Sequence, residues 1–305
     1  MNASAKTRIR ATTVPASMAS IKNVWFIMFE NHSWSDIQGS ASAPYINGTL
    51  LPQASYSTNH WDPNYGHPSL AAYIDLEAGS NLGITNDYNP GGIDEQSTTQ
   101  HFVTQLQGAG LTWKGYIEGI SGTTCPLTNN TTTQYAVRHN PQMYFADVTN
   151  NNSSTSQNCI AHERPLTQLQ TDLKNNTVPS YSYILPTLCH DMHTQCPART
   201  GTNDEILAGD NWLKTIIPGI MASAAYQQSG AIFISWDEGT DDPITGADSD
   251  GPIGMIVLSP FAKGGSYTSS VFTDHNSTLL SFEEIFGVAA LRDATTATDL
   301  ADLFQ

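Results

Sequence analysis

The sequence predicts an α/β fold, a three-layer α/β/α sandwich in which helices cover both faces of a mostly parallel sheet. Short apolar runs rich in aromatic and β-branched residues alternate along the chain with segments of helical periodicity. This alternation is typical of strand–helix–strand units. The chain has 305 residues, of which 39% are hydrophobic, so it is long enough to bury the core of one large domain or of two smaller ones.

The predicted elements follow one another along a single domain. Residues 1–20 are polar and are predicted to form an N-terminal arm, whereas no internal repeat or break in composition divides residues 21–305. Apolar runs predict strands, in chain order, at 23–29, 111–117, 180–185, 231–236 and 252–258. Helical periodicity predicts helices, in chain order, at 70–78, 99–107, 166–173, 203–222 and 277–286.

Glycine and proline mark where several of these elements end. Gly108 follows the second predicted helix, Pro186 follows the strand at 180–185, and Gly287 follows the last helix. Pro218 predicts a break within the helix at 203–222. Residues 120–160 are rich in Asn, Thr and Ser, and we expect a long loop insertion over one edge of the sheet.

The charge balance restricts the partners of this protein. Lys and Arg total 12 against 28 Asp and Glu, which gives a formal net charge of -16. Such a surface repels nucleic acid phosphates and anionic membranes.

No apolar run is long enough to span a bilayer, and Met1–Thr13 lacks the apolar centre of a signal peptide. A cytoplasmic protein is one interpretation; we favour a secreted or periplasmic protein whose signal peptide lies outside this sequence.

The chain has four cysteines, which could form two disulfides in such a location. An even count in an extracytoplasmic chain predicts disulfides, whereas four reduced thiols are the alternative. Cys189 with Cys196 would close a tight loop, and Cys125 with Cys159 would then staple the polar stretch between them. Their spacing is not that of a zinc knuckle.

Acidic residues directly follow two of the predicted strands. Glu30 and Asn31 come after the strand at 23–29, and Asp237 and Glu238 come after the strand at 231–236. Because α/β sheets place their sites at the carboxyl ends of parallel strands, the two pairs predict one shared site. Their oxygen atoms suit a hard divalent cation. The alternative is that one pair is an ordinary boundary between a strand and a loop.

Ser69 lies at the start of the predicted helix 70–78. A serine there can cap free backbone N–H groups of the helix, which is a structural role. Beside a divalent cation, its hydroxyl would instead ionise more easily and become a nucleophile. The carboxylates that follow the two strands favour the nucleophile.

Several motifs together resemble a known family. They are FENHSWSDI (29–37), GHPSLAAYI (66–74), WKGYIE (113–118), YAVRHNP (135–141), CHDMH (189–193), SWDEG (235–239) and DHNSTLLSFEEIFG (274–287). From about residue 22 to residue 287, the chain is similar to the phosphoesterase family of bacterial and fungal acid phosphatases and phospholipases C, in the alkaline phosphatase-like superfamily. The resemblance implies the alkaline phosphatase-like form of the sandwich.

The resemblance also implies roles for individual residues. One divalent metal ion, Ca²⁺, Mg²⁺, Mn²⁺ or Zn²⁺, would be held by Glu30, Asn31, Ser69, Asp237 and Glu238. Ser69 would be the phosphorylated nucleophile, with His193 and His275 as catalytic histidines. Asn31 and Asp191 would contact the substrate, and Asp191 would orient His193 or bind metal. His60 could also reach the substrate from its turn, and the alternative is a packing or surface role. His139 falls in a family motif that we interpret as structural.

Two departures from the family pattern affect the site. Ala71 and Ala72 stand where the family usually has Pro and Asn, which removes an amide that could contact phosphate or hold the helix. His190 stands where the family often has Asn, and it would be either an extra ligand or a solvent-facing residue.

The implied activity is hydrolysis of small phosphate monoesters, acid phosphatase-like and of broad substrate range. A phosphodiesterase of phospholipase C type is the alternative within the family. An alternative of another class is a catalytically silent binding protein on the same scaffold.

Overall fold

The computed structural model describes residues 14–62, 68–240 and 251–305. Its strands are β1 Asn23–Phe29, β2 Ser55–Ser57, β3 His60–Trp61, β4 Trp113–Ile117, β5 Glu163–Pro165, β6 Tyr181–Leu185, β7 Gly230–Trp236, β8 Met255–Leu258, β9 Tyr267–Ser269 and β10 Thr273–Asp274. Its α-helices are α1 Ala16–Ala19, α2 Trp34–Ile37, α3 Leu70–Ala78, α4 Phe102–Gly108, α5 Ala146–Thr149, α6 Gln157–His162, α7 Thr167–Asn175, α8 Pro197–Thr200, α9 Glu205–Met221, α10 Ala224–Ser229 and α11 His275–Phe286.

The central sheet of the described residues has eight strands in the order β5-β4-β6-β1-β7-β8-β2-β9. Strands β5, β4, β6, β1 and β7 run parallel to one another. Strand β8 runs antiparallel to both β7 and β2. The predicted, mostly parallel sheet is therefore confirmed, with its reversal at β8. A separate parallel pair, β3 with β10, lies outside this sheet.

Strand β1 lies inside this sheet and is buried on both faces. Val24, Phe26 and Met28 join one apolar cluster with α3, α4 and α11. The alternate residues Trp25, Ile27 and Phe29 join a second cluster with α7, α9 and α10. Because successive side chains of a strand point to opposite faces, this alternation places a helical layer on each side. The three-layer arrangement is confirmed.

The break predicted within the helix at 203–222 is wrong. Helix α9 continues through Pro218 to Met221. Pro218 falls in the last turn, where the missing N–H removes one hydrogen bond near the helix end rather than at its centre. Ile216, Ile217 and Ile220 pack into the apolar cluster around it, so tertiary packing holds this turn helical.

The polar stretches are more ordered than their composition suggests. Within 120–160, α5, α6 and two short 3₁₀ turns, Val137–His139 and Pro141–Tyr144, surround buried residues. Residues 1–13 of the predicted arm lie outside the described residues. In its described part, α1 buries Met18, and the Ser17 Oγ donates to the Gln305 carbonyl at 2.6 Å. The division into an arm and a single domain stays a prediction.

None of the helices in the described ranges combines the length and the apolar character needed to cross a membrane.

Candidate active site at the carboxyl edge of the sheet

The two predicted acid pairs lie side by side because β1 and β7 are parallel neighbours. Phe29 pairs with Trp236 in the register, so Glu30 and Asp237 leave the sheet at the same level. The Asp237 N–H donates to the Phe29 carbonyl at 2.9 Å and extends the pairing by one residue. Glu30, Asp237 and Glu238 are all buried. The expectation that the two pairs meet at one sheet edge is met.

Ser69 faces these carboxylates from the start of α3. Its Oγ lies 3.2 Å from Oε2 of Glu30 and 3.1 Å from Oε1 of Glu238, within hydrogen-bonding distance of both. The Ser69 side chain makes no capping hydrogen bond to α3. Instead, the N–H of Leu70 donates to Oδ1 of Asp87 at 3.1 Å. The capping role considered for Ser69 is therefore not the one this geometry supports.

Asn31 joins the two strand ends to each other. Its Nδ2 donates to Oε1 of Glu238 at 2.8 Å, and its backbone N–H donates to Oδ1 of Asp237 at 3.1 Å. The backbone of Asn31 has a φ of 36°, a left-handed conformation that asparagine tolerates better than most residues. The local turn thus accounts for an asparagine directly after β1.

The electrostatics of this edge disfavour negative charge. Burial raises the pKa of the Glu30 carboxyl well above its usual range, and the charges of Asp237 and Asp191 raise it further. Burial is also the main cause that raises the pKa of Asp237 and of Asp191. Buried carboxylates that repel each other are stabilised when a cation joins them.

The donors that meet at Ser69 fit a hard divalent cation by their chemistry. Within the described residues, no three His, Cys, Asp or Glu side chains form a metal-binding group by themselves. The residues that could hold a cation here are Glu30, Asp237 and Glu238 together with the Ser69 hydroxyl and the Asn31 carboxamide. All of these side chains offer oxygen atoms, the ligands that Mg²⁺, Ca²⁺ and Mn²⁺ prefer.

Two predicted histidines lie deeper than expected. His275 is fully buried, its Nε2 donates to the Asp237 carbonyl at 2.7 Å, and burial lowers its pKa to about 4. The ring of His60 lies 6.0 Å from that of His275, and its Nδ1 lies 3.0 Å from Oγ1 of Thr273. Both imidazoles therefore pack beneath the site, and the burial of His60 lowers its pKa as well.

His193 and Asp191 lie together in the loop after β6. Asp191 is buried, and its Oδ1 accepts a hydrogen bond from the His193 backbone N–H at 3.0 Å. The carbonyl of Asp191 accepts from the Glu30 N–H at 2.9 Å, which ties this loop to the end of β1. His193 itself is exposed. Asp191 thus holds the backbone of His193 and leaves its imidazole at the surface.

Two residues of this site were not identified from the sequence as functional. The Tyr73 hydroxyl donates to Oε1 of Glu30, and Nε2 of His139 lies 3.2 Å from the same oxygen. Nδ1 of His139 lies 3.8 Å from Oδ2 of Asp191. Helical spacing carried a signal for Tyr73, since it lies four residues after Ser69 and therefore on the same face of α3.

Comparison with known proteins identifies the family. The model of the phosphoesterase family matches residues 59–289, which is most of the chain. The chain belongs to the phosphoesterase family. Residues 63–67, which include Gly66 and His67 of the motif at 66–74, lie outside the described residues.

Curated relatives of this phosphoesterase are named as phosphatases and phospholipases. It is 25% identical to a phosphatidylinositol-3-phosphatase of Mycobacterium tuberculosis, over 95% of this chain and 85% of that protein. It is 22% identical to a probable acid phosphatase of Kluyveromyces lactis, over 92% of this chain and 62% of that protein. With phospholipase C B of M. tuberculosis it shares 28% identity over 66% of this chain and 42% of that protein.

Solved structures confirm the fold of the phosphoesterase. A protein in the alkaline phosphatase superfamily from Vibrio parahaemolyticus has a TM-score of 0.56 at 11% identity, over 90% of this chain and 70% of that one. A phosphonate monoester hydrolase from Silicibacter pomeroyi has a TM-score of 0.55 at 12% identity, over 92% and 76% of the two chains. The fold is that of the alkaline phosphatase superfamily. The family and its phosphatase-named members support a phosphoric ester hydrolase, acid phosphatase-like.

His190 lies beside the site of the phosphoesterase and contacts Glu118. Its Nδ1 lies 2.9 Å from Oε2 of Glu118, and both side chains are about a quarter exposed, at 27% and 24%. The contact with His190 helps to lower the pKa of Glu118 against the effect of burial. His190 is thus a partly exposed hydrogen-bond partner of Glu118.

Both predicted disulfides are present in the phosphoesterase. Cys125 pairs with Cys159 at a Cα–Cα distance of 5.5 Å, and Cys189 pairs with Cys196 at 5.2 Å. The second bridge closes the loop that carries Asp191 and His193. Because this loop is bonded to Glu30 through the Asp191 carbonyl, the bridge restricts a segment that belongs to the site.

Opening the Cys189–Cys196 bridge is expected to lower activity before it unfolds the core. The double variant Cys189→Ser/Cys196→Ser should lose about 10- to 100-fold in kcat/KM, because small displacements of positioned groups are costly. Its matched control is Cys125→Ser/Cys159→Ser, which opens a longer loop whose cysteines lie in the apolar core rather than beside Asp191, and which should mainly lower the melting temperature. Peptide mapping without reductant is the direct check. Free thiols at 189 and 196 in fully active protein would contradict the prediction.

Proposed function

We propose that this phosphoesterase hydrolyses phosphate monoesters through a phosphoserine formed on Ser69. The observation that carries the proposal is the position of the Ser69 Oγ, within 3.2 Å of two buried carboxylates that come from different strands. A serine hydroxyl there can lose its proton to a neighbouring carboxylate and attack phosphorus. Ser69 makes no capping bond with its side chain that would compete with this role.

A divalent metal ion is part of the proposal. Glu30, Asn31, Ser69, Asp237 and Glu238 are the residues proposed to hold it. When bound, a cation of this kind polarises a phosphoryl group and lowers the pKa of a neighbouring hydroxyl. The raised pKa values of Glu30 and Asp237 support the assignment, because a cation would relieve the repulsion that contributes to them.

The proposed hydrolysis has two steps, and named side chains of the protein act in each. In the first, the Ser69 Oγ forms a bond to phosphorus, the bond to the ester oxygen breaks, and the exposed His193 protonates the leaving alcohol. In the second, water gives a proton to His193 and attacks phosphorus, the bond to the Ser69 Oγ breaks, and the carboxylate that took the Ser69 proton returns it. Asn31 remains a proposed substrate contact, whereas Asp191 and His60, which are buried, are proposed to act behind the groups that touch the phosphate.

The buried histidine His275 is proposed to act through Asp237. Its Nε2 is committed to the Asp237 carbonyl, so it fixes the main chain that presents the two carboxylates after β7. Asp191 has a comparable position, because its carbonyl binds the backbone of Glu30 and its Oδ1 binds the backbone of His193. Both residues thus support groups that we place closer to the phosphate.

A substrate panel with and without chelator tests this function. We expect p-nitrophenyl phosphate to be hydrolysed with a kcat/KM at least about tenfold above that of bis(p-nitrophenyl) phosphate. EDTA should abolish this activity, and added Mg²⁺, Mn²⁺, Ca²⁺ or Zn²⁺ should restore it. Activity that persists in excess EDTA would contradict the metal requirement.

Two results would overturn the proposed phosphomonoesterase activity. A higher rate with the diester and with phosphatidylcholine would favour a phospholipase C type, the activity named for relatives at 28% identity. No turnover of any ester would favour a binding protein on this scaffold.

We further propose that the protein is secreted or periplasmic, because its two disulfides suit an oxidising compartment.

A further inference from the structure

Both oxygens of the Glu30 carboxylate are contacted from a single helix. Ser69 lies at the start of α3 and faces Oε2, whereas Tyr73 donates its hydroxyl to Oε1. The two residues are four apart, one helical turn, so they project from the same face of α3. The nucleophile that we propose and the hydroxyl of Tyr73 thus approach one carboxylate from two sides.

We propose that Tyr73 is a positioning residue that fixes the Glu30 carboxylate for metal binding and for Ser69. This inference rests on the proposed function, since it gives Glu30 and Ser69 the roles stated above. Tyr73 contacts neither the phosphate nor the metal in this proposal. It acts by holding Oε1, so that Oε2 remains directed at Ser69.

The surroundings of Tyr73 hold its ring in one place. The ring is fully buried and stacks on His139, with 5.1 Å between ring centroids and 6° between planes. Nε2 of His139 lies 3.2 Å from the Glu30 oxygen that Tyr73 contacts. Two stacked and buried rings therefore meet one carboxylate oxygen.

This arrangement predicts how Glu30 binds a cation. Because Oε1 is occupied by Tyr73 and approached by His139, the carboxylate has only Oε2 to offer beside Ser69. Partners of this kind orient a metal ligand without contacting the metal, and their loss typically costs about 10- to 100-fold in metal affinity or activity. We expect this cost at Tyr73, although the substitution removes a single oxygen atom.

The test compares Tyr73→Phe with Tyr116→Phe. Tyr116 is a matched control, because it is buried in β4 and its hydroxyl donates to the carboxylate of Asp172 at 2.7 Å, outside the site. Each variant loses one phenolic oxygen that is bonded to one carboxylate. The readouts are Mn²⁺ affinity by titration calorimetry on metal-free protein, the melting temperature, and kcat and KM for p-nitrophenyl phosphate.

We expect Tyr73→Phe to bind Mn²⁺ about 10- to 100-fold more weakly and to lose kcat by a similar factor at limiting metal. Excess Mn²⁺ should restore part of its kcat. Tyr116→Phe should keep both values within about twofold of the wild type, whatever its melting temperature. Such a result supports the positioning role, because a merely structural loss would affect both variants alike.

Other results overturn the inference. Folded Tyr73→Phe with wild-type Mn²⁺ affinity excludes it, and so does a wild-type protein that binds no Mn²⁺. If Tyr73→Phe alone weakens Mn²⁺ binding but the wild type hydrolyses no ester, the proposed function fails and the positioning of Glu30 stands. The two failures are therefore distinguishable.

Discussion

Replacing Ser69 with alanine is expected to reduce kcat by several orders of magnitude while leaving the fold in place. The substitution removes only the Oγ that faces Glu30 and Glu238, and with it the proposed nucleophile. Helix α3 should persist, because the Ser69 side chain makes no capping bond to it. Steady-state rates with p-nitrophenyl phosphate and the melting temperature of the variant are the measurements.

A second serine provides the control for this variant. Ser182 is fully buried in β6, away from the carboxylates at Ser69, so Ser182→Ala should keep activity close to that of the wild type. Acid quenching during turnover of labelled substrate should trap phosphate on Ser69 in the wild type and not in Ser69→Ala. Near-wild-type turnover by Ser69→Ala would refute the assignment of Ser69 as the nucleophile. A phosphopeptide that carries the phosphate on another residue would also refute it.

Replacing Asp237 with asparagine is expected to weaken metal binding and activity together. The change keeps the shape of the side chain but removes one formal negative charge from the proposed cation site. We expect a loss in metal affinity of at least about 100-fold, above the range seen for residues that only orient a ligand. Glu30→Gln should behave in the same way. Metal content after dialysis against buffered metal and kcat at rising metal concentration are the readouts.

Asp210→Asn is the matched control for the loss of a buried carboxylate. Asp210 is buried in α9 and accepts hydrogen bonds from the backbone N–H groups of Tyr45 and Ile46, at 2.8 Å each. Its variant should lower stability and leave bound metal unchanged. If Asp237→Asn and Glu30→Gln retain wild-type metal content and added metal never restores their activity, these residues are not ligands.

Elements with strong local signals could be predicted from the sequence. The strand at 23–29 and the helix at 70–78 have the bounds that their residues predict. In both segments the spacing of the apolar residues is recognisable over a few neighbouring positions. A polar residue or a glycine follows the last residue of each segment. Pro218 is the opposite case, since its local tendency to end a helix is overridden by the apolar residues that pack around it.

The sequence by itself determined the chemistry available at the site, namely acid pairs after two strands and a serine before a helix. The tertiary structure alone decided that β1 and β7, far apart in the chain, lie side by side, and that Tyr73 and His139 both reach Glu30. Helical spacing could place Tyr73 on the face of Ser69, but not against a carboxylate that comes from another element. The physical reason is that periodicity and end signals act over a few residues. The order and register of strands depend instead on how the whole domain buries its apolar surface.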